Sequence, residues 1–110
     1  LSIFDFFKNT DINEGVKTAR STSKGLLIDV RSKEEYAEGH IKGSINIPSE
    51  KLPHIEKQAP HKDTPLFLYC RTGARSARAA KILKSAGYQN TMDIGGMIHW
   101  RGEMEKGATK

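Results

Sequence analysis

The sequence predicts an α/β fold: a mostly parallel sheet with helices on both faces. Three observations carry this. Short strand-like runs alternate with helical patterns along the chain. The runs "LLI" (26–28) and "PLFLYC" (65–70) are apolar at successive positions, as in strands covered on both sides. The second of them leads through a glycine-containing turn into the alanine-rich pattern "ARSARAAKILKSA" (74–86), the clearest helix in the chain.

The elements follow in order. Residues 1–10 match no single pattern, although Phe4, Phe6 and Phe7 could dock on the body, and are taken as an N-terminal extension. Ile12–Ala19 reads as a short helix capped by Asp11. Gly25 introduces the strand in "LLIDVR". Ser32 and Glu35 then form a capping box that opens "KEEYAEG", closed by Gly39. "SINIP" is a short strand ended by Pro48, and Leu52–Gln58 is a short helix weakened by Pro53. After "PLFLYC" comes the helix Ala74–Ala86. Its wheel puts Ala79, Ile82, Leu83 and Ala86 on the core face and Ala77, Lys81, Lys84 and Ser85 opposite, with Gly87 as the cap. "TMDI" is a strand, "GG" a turn, and Met97–Met104 a last helix.

Composition bounds the function. A chain of 110 residues, 36% hydrophobic and 28% charged, suits one globular domain spanning residues 1–110. The longest apolar runs are too short to cross a bilayer, and Leu1–Phe7 lacks the pattern of a signal peptide. The expected compartment is the cytoplasm, with a removed upstream signal as the alternative because the chain begins at Leu1. One cysteine excludes an internal disulfide or a multi-cysteine zinc site, and the four histidines show no ligand spacing, so no metal is expected. The net charge of +5 comes from Lys and Arg spread along the chain without aromatic interleaving. That suits a solvated surface and small anions, and neither a nucleic acid nor a membrane is an expected partner.

The chemistry concentrates in "CRTGAR". Parallel sheets place ligands at the carboxyl ends of their strands, where Asp29 and Cys70 fall. Behind Cys70, the turn amides can form an anion-binding nest and the next helix adds its dipole. Arg71, Arg75 and Arg78 add full charge. All three effects favour thiolate over thiol and make Cys70 a nucleophile rather than an inert buried cysteine. Arg75 falls on the core-facing stripe of its helix and needs a partner, for which Asp29 is the nearest candidate by topology; Arg31 completes the cluster. No histidine can be placed as a general base by spacing. Chemistry without such a base points to sulfur transfer.

Three segments, "LLIDVRSKEEYAEGHIKGSINIP", "LFLYCRTGARSARAAKILKSAGY" and "IGGMIHW", span roughly residues 25–105 and resemble a single-domain rhodanese, a thiosulfate-type sulfurtransferase. The resemblance implies a rhodanese-like sheet of about five strands and a reaction without a cofactor. Cys70 would carry a sulfane sulfur as a persulfide, cradled by the loop of Arg71, Thr72, Gly73, Ala74 and Arg75. Arg71 and Arg75 match positions that favour an anionic donor such as thiosulfate. The acceptor would be a thiol, cyanide or a protein, and the chain a monomer or weak dimer. Asp29, Arg31 and Arg78 match supporting positions; Gly39, His40 and Gly43 match a structural turn, which makes His40 structural rather than a base. Gly95 and Gly96 match a second turn and Trp100 a packing residue. Relatives often begin with a strand before the first helix, which "FDFFKNT" matches only loosely. Two other readings compete. Cys-dependent phosphatases and arsenate reductases use a similar loop but need an arginine six places after the cysteine, where this chain has Ser76. A docking sulfur carrier or regulatory module is the third.

Overall fold

In the computed structural model, residues 11–108 are described; the extension assigned to residues 1–10, and any strand there, lies outside them. Four strands form the central sheet: β1 (Leu26–Asp29), β3 (Ile45–Asn46), β4 (Leu66–Cys70) and β5 (Thr91–Gly96). Their order is β3-β1-β4-β5 and every pairing is parallel. The helices are α1 (Ile12–Ser21), α2 (Lys33–Glu38) and α3 (Ala74–Ser85). Two short strands, β2 (His40–Ile41) and β6 (Met104–Glu105), pair antiparallel as a separate ribbon. Among the described residues the central sheet therefore has four strands, against about five expected.

The doubly apolar strands are explained by the two layers. Leu66, Leu68 and Cys70 point into one core, with Ala79 and Leu83 of α3 and Leu52 and Ile55. Phe67 and Tyr69 point into the other, with Ile12 and Val16 of α1 and Ile94 of β5. Side chains alternate along a strand, so a strand sandwiched between layers is apolar throughout. Cys70 thus sits at the carboxyl end of β4 on the α3 side.

Local signals hold at the helix starts. Asp11 Oδ1 accepts the Glu14 amide at 3.1 Å, and Ser32 and Glu35 exchange both bonds of the capping box. The segment Ser49–Lys57 is helical as 3-10 turns with a break at His54, just after Pro53. Gly87, at φ +103°, ends α3 one residue beyond its cap, Ala86.

Three expectations are corrected. The buried residues of α3 are Ser76, Ala79, Ala80 and Leu83; Ile82 is 49% exposed and Ala86 is also exposed. The helix is rotated from the expected stripe because Ser76 is anchored by hydrogen bonds under Cys70. The "GG" pair does not turn the chain but extends β5. Tyr69 pairs with Gly95 where Leu68 pairs with Asp93, so Ile94 is the extra residue of a bulge, with Gly95 at φ +106°. Met97–Met104 is not a helix. One 3-10 turn, Met97–His99, is followed by extended Trp100, whose indole N–H donates to the Glu103 carbonyl as the chain returns to pair β6 with β2.

Candidate active site

Cys70 is buried, and its Sγ meets a converging set of donors. The Gly73 amide donates to it at 3.0 Å and the Ser76 amide at 3.4 Å. Gly73 sits at φ +105°, a left-handed conformation that folds the loop back so that its own N–H faces the sulfur. Ser76 belongs to the first turn of α3, so its N–H has no partner within the helix and is free to point at Sγ. The two N–H groups favour negative charge on the sulfur.

The loop is fastened from β5. The Arg71 carbonyl accepts the Ile98 amide at 3.1 Å. A methyl group on Gly96 would lie 2.7 Å from the Arg71 carbonyl oxygen and 2.8 Å from Thr72 Cα. These are backbone atoms that cannot swing aside. Gly96→Ala is therefore expected to displace the loop and to cut any activity that depends on the loop by about a hundredfold, with melting temperature as the companion measurement. An unchanged Cys70 alkylation rate and melting temperature would show that the loop tolerates the shift.

The arginines occupy different environments. Arg71, Thr72, Ala74 and Arg78 are exposed. Arg75 does not pair with Asp29. Its guanidinium makes a two-pronged ion pair with Glu35 of α2, at 2.8 and 3.0 Å. The expected Asp29–Arg75 bridge fails because Asp29 is already committed. It accepts Nε and Nη2 of Arg31, the latter at 2.8 Å, and the Arg31 amide at 2.9 Å. Arg31 Nη2 also donates to the Gly39 carbonyl at 2.6 Å, and the Asn46 amide group bridges the Asp29 and Arg31 carbonyls. This buried cluster fixes the chain leaving β1 and the turn before His40.

Glu35 thus does two things: its carboxylate receives both the Ser32 amide and Arg75. The Arg75 guanidinium, ahead of the capping bonds, holds the Glu35 carboxyl down at about 2. A group whose folded value is depressed contributes stability above its unfolded value and loses it as pH falls toward the folded one. The window here runs from about 4.5 down to about 2. The melting-temperature advantage of wild type over Glu35→Gln is expected to shrink across that window. A constant advantage would mean that the Arg75 pair adds nothing to stability.

Other residues have structural roles. His40 stacks on Tyr36, with ring centroids 3.6 Å apart, and its Nδ1 donates to the Tyr36 carbonyl at 2.7 Å. Tyr69 is buried, and its hydroxyl accepts the Ile41 amide and meets Ser44 Oγ, each at 3.0 Å. Burial, ahead of the charge on Asp29, pushes its ionisation well above the usual tyrosine range. Trp100 packs against the α1-side core, with Arg20 stacked over its ring. Among the described residues, no group of three or more His, Cys, Asp or Glu could hold a metal ion, and no helix is long and apolar enough to cross a membrane. A groove lies between α2 and the Ser49–Lys57 segment, and no residue of the Cys70–Arg75 loop lines it.

Sequence reasoning missed Asp93. Its Oδ1 receives the Ser76 hydroxyl at 2.6 Å and the Gly95 amide at 3.0 Å, while Ser76 Oγ lies 3.4 Å from Cys70 Sγ. The available signal was an acid inside a strand-like run, two residues before the paired glycines.

Known proteins resemble the chain over most of its described length. A family model for the rhodanese-like domain matches residues 13–103. "Adenylyltransferase and sulfurtransferase uba4" of Ogataea parapolymorpha is 42% identical over 80 residues, covering 72% of this chain and 21% of that protein. The chain therefore spans about a fifth of that relative's length. "Thiosulfate sulfurtransferase PspE" of Escherichia coli is 37% identical over 71 residues, covering 64% of this chain and 68% of that protein. The solved structure of "rhodanese with anions" from E. coli aligns with TM-score 0.69 at 34% identity, covering 74% of this chain and 98% of that one. With the family's domain matched across nearly the whole described region, the chain belongs to the rhodanese-like domain family.

Proposed function

We propose that this protein is a thiosulfate-type sulfurtransferase working through a persulfide on Cys70. The reading is carried by one observation: two backbone amides, Gly73 from the loop and Ser76 from the first turn of α3, converge on Cys70 Sγ. In the first step the Cys70 thiolate attacks the outer sulfur of thiosulfate. The Sγ–S bond forms, the S–S bond of the donor breaks, and sulfite leaves with the electron pair. In the second step an acceptor, either cyanide, a thiol or a protein thiol, attacks the outer sulfur and Cys70 leaves as thiolate. The nest of amides stabilises the charge on sulfur, and exposed Arg71 suits the donor's sulfonate. Arg75, turned toward Glu35, braces the loop. A reducing compartment such as the cytoplasm would keep the lone thiol free.

A loop of this size fits one sulfur atom better than a phosphate, since Ser76 and not an arginine stands six places after Cys70. Purified protein is expected to form thiocyanate from thiosulfate and cyanide and to leave an aryl phosphate intact. Phosphate release that is lost in Cys70→Ser, without thiocyanate formation, would reverse the reading.

A further inference from the structure

Ser76 has one hydroxyl proton and three neighbours that could take it: Asp93 Oδ1 at 2.6 Å, the Gly73 carbonyl at 3.1 Å and Cys70 Sγ at 3.4 Å. A carboxylate at the shortest distance is the strongest acceptor, so the proton lies on the Asp93 side. Ser76 then turns oxygen lone pairs, not a donor, toward the sulfur. The Gly95 amide holds Asp93 in place from within β5. Cys70 thus has donors on its loop side and, through one intervening hydroxyl, a carboxylate behind it.

We infer that Asp93, acting through Ser76, is a positioning residue that makes Cys70 a poorer leaving group and so retains the sulfur on the loaded protein. The inference rests on the persulfide reading above. When an acceptor attacks the outer sulfur, the Sγ–S bond breaks and the electron pair stays on Sγ. That new charge lies beside the Ser76 lone pairs and close to the Asp93 carboxylate. In the persulfide the charge sits instead on the outer sulfur. The side of Sγ facing Asp93 is filled by Ser76, so the outer sulfur extends away from it, where repulsion is weaker. The pair therefore favours the loaded form over the discharged thiolate.

The other charged groups on the Cys70 side are Arg71, next in the chain and exposed, Arg78, also exposed, and Arg75 of α3, whose guanidinium is paired with Glu35 of α2. Arg75 also feels the charges of Cys70 and of Asp29 of β1 at longer range. On the opposite face α1 packs on β5 through Ile94. His99, in the turn after β5, is exposed.

The test is iodoacetamide alkylation of the reduced full-length protein, followed by intact mass from pH 6 to 9.5. Asp93→Asn removes the charge but keeps an oxygen for Ser76 and Gly95; Asp93→Ala removes both. At pH 6.5 alkylation is expected to rise about threefold in Asp93→Asn and about tenfold in Asp93→Ala, since reactivity follows the thiolate fraction. The rise should shrink as the pH goes up; a change in mere access would raise the rates equally at every pH. Ser76→Ala should not slow alkylation. After loading with thiosulfate, both Asp93 variants should release sulfur to cyanide faster, by a similar factor. Unchanged or slower alkylation in the Asp93 variants, or slower alkylation in Ser76→Ala, would overturn the inference by showing that Ser76 donates to the sulfur. If wild type never gains sulfur, the persulfide reading fails, while the alkylation series still decides where the Ser76 proton lies. If Asp93→Ala does not fold, Asp93→Asn and Ser76→Ala decide the matter.

Discussion

Cys70→Ser protein is expected to fold normally and to lose sulfur transfer by at least about a thousandfold. Serine is close in size and leaves an oxygen acceptor for the Gly73 and Ser76 amides, so the loop keeps its hydrogen bonds. What disappears is the chemistry. A serine hydroxyl is not ionised near neutral pH, and its oxygen forms no stable link to a sulfane sulfur. Thiocyanate production measured alongside the melting temperature separates the two effects. Substantial turnover in the variant would remove Cys70 from the mechanism.

Asp29→Ala should have the largest effect on stability. Asp29 is completely buried and Arg31 nearly so, at 4% exposure. Removing the carboxylate leaves Arg31 charged, enclosed and bonded only to the Gly39 carbonyl among the contacts described for its guanidinium. Breaking a buried ion pair from one side costs about 3–5 kcal/mol. For a domain of this size that lowers the melting temperature by roughly 15–30 °C. The double variant Asp29→Leu/Arg31→Met should recover part of the loss, because no charge remains buried. It should not recover all of it, because the Arg31 amide also loses its acceptor. Calorimetry on the three proteins checks this. A small change in Asp29→Ala would mean that Arg31 finds solvent or another acid.

These two residues also show what the sequence made legible. Cys70 stood out because strand, turn and helix signals are local: an apolar run, a glycine and an alanine-rich repeat within twenty residues. Asp29 was visible as an acid at the end of a buried strand, but its partner was misassigned. Arg31 lies two residues away and claims it, whereas Arg75 reaches Glu35 across forty positions. Partner choice at that distance depends on how α2 and α3 approach each other, which no spacing encodes. Glu35 was legible as a helix cap, and the second use of its carboxylate was not. The rotation of α3 followed the same logic. Its apolar stripe favoured Ile82, but the bonds from Ser76 to Cys70 and Asp93 turned a different face inward. Met97–Met104 was expected to be helical, yet Trp100 packs on the α1-side core and the chain beyond it returns so that Met104–Glu105 pairs with β2.

The persulfide itself is the direct test. Wild-type protein incubated with thiosulfate, freed of excess donor and weighed intact should gain the mass of one sulfur atom per chain. Cyanide or dithiothreitol should remove that gain, and Cys70→Ser should show none. No added sulfur on wild type, or an equal gain on Cys70→Ser, would contradict the proposal that Cys70 carries sulfur.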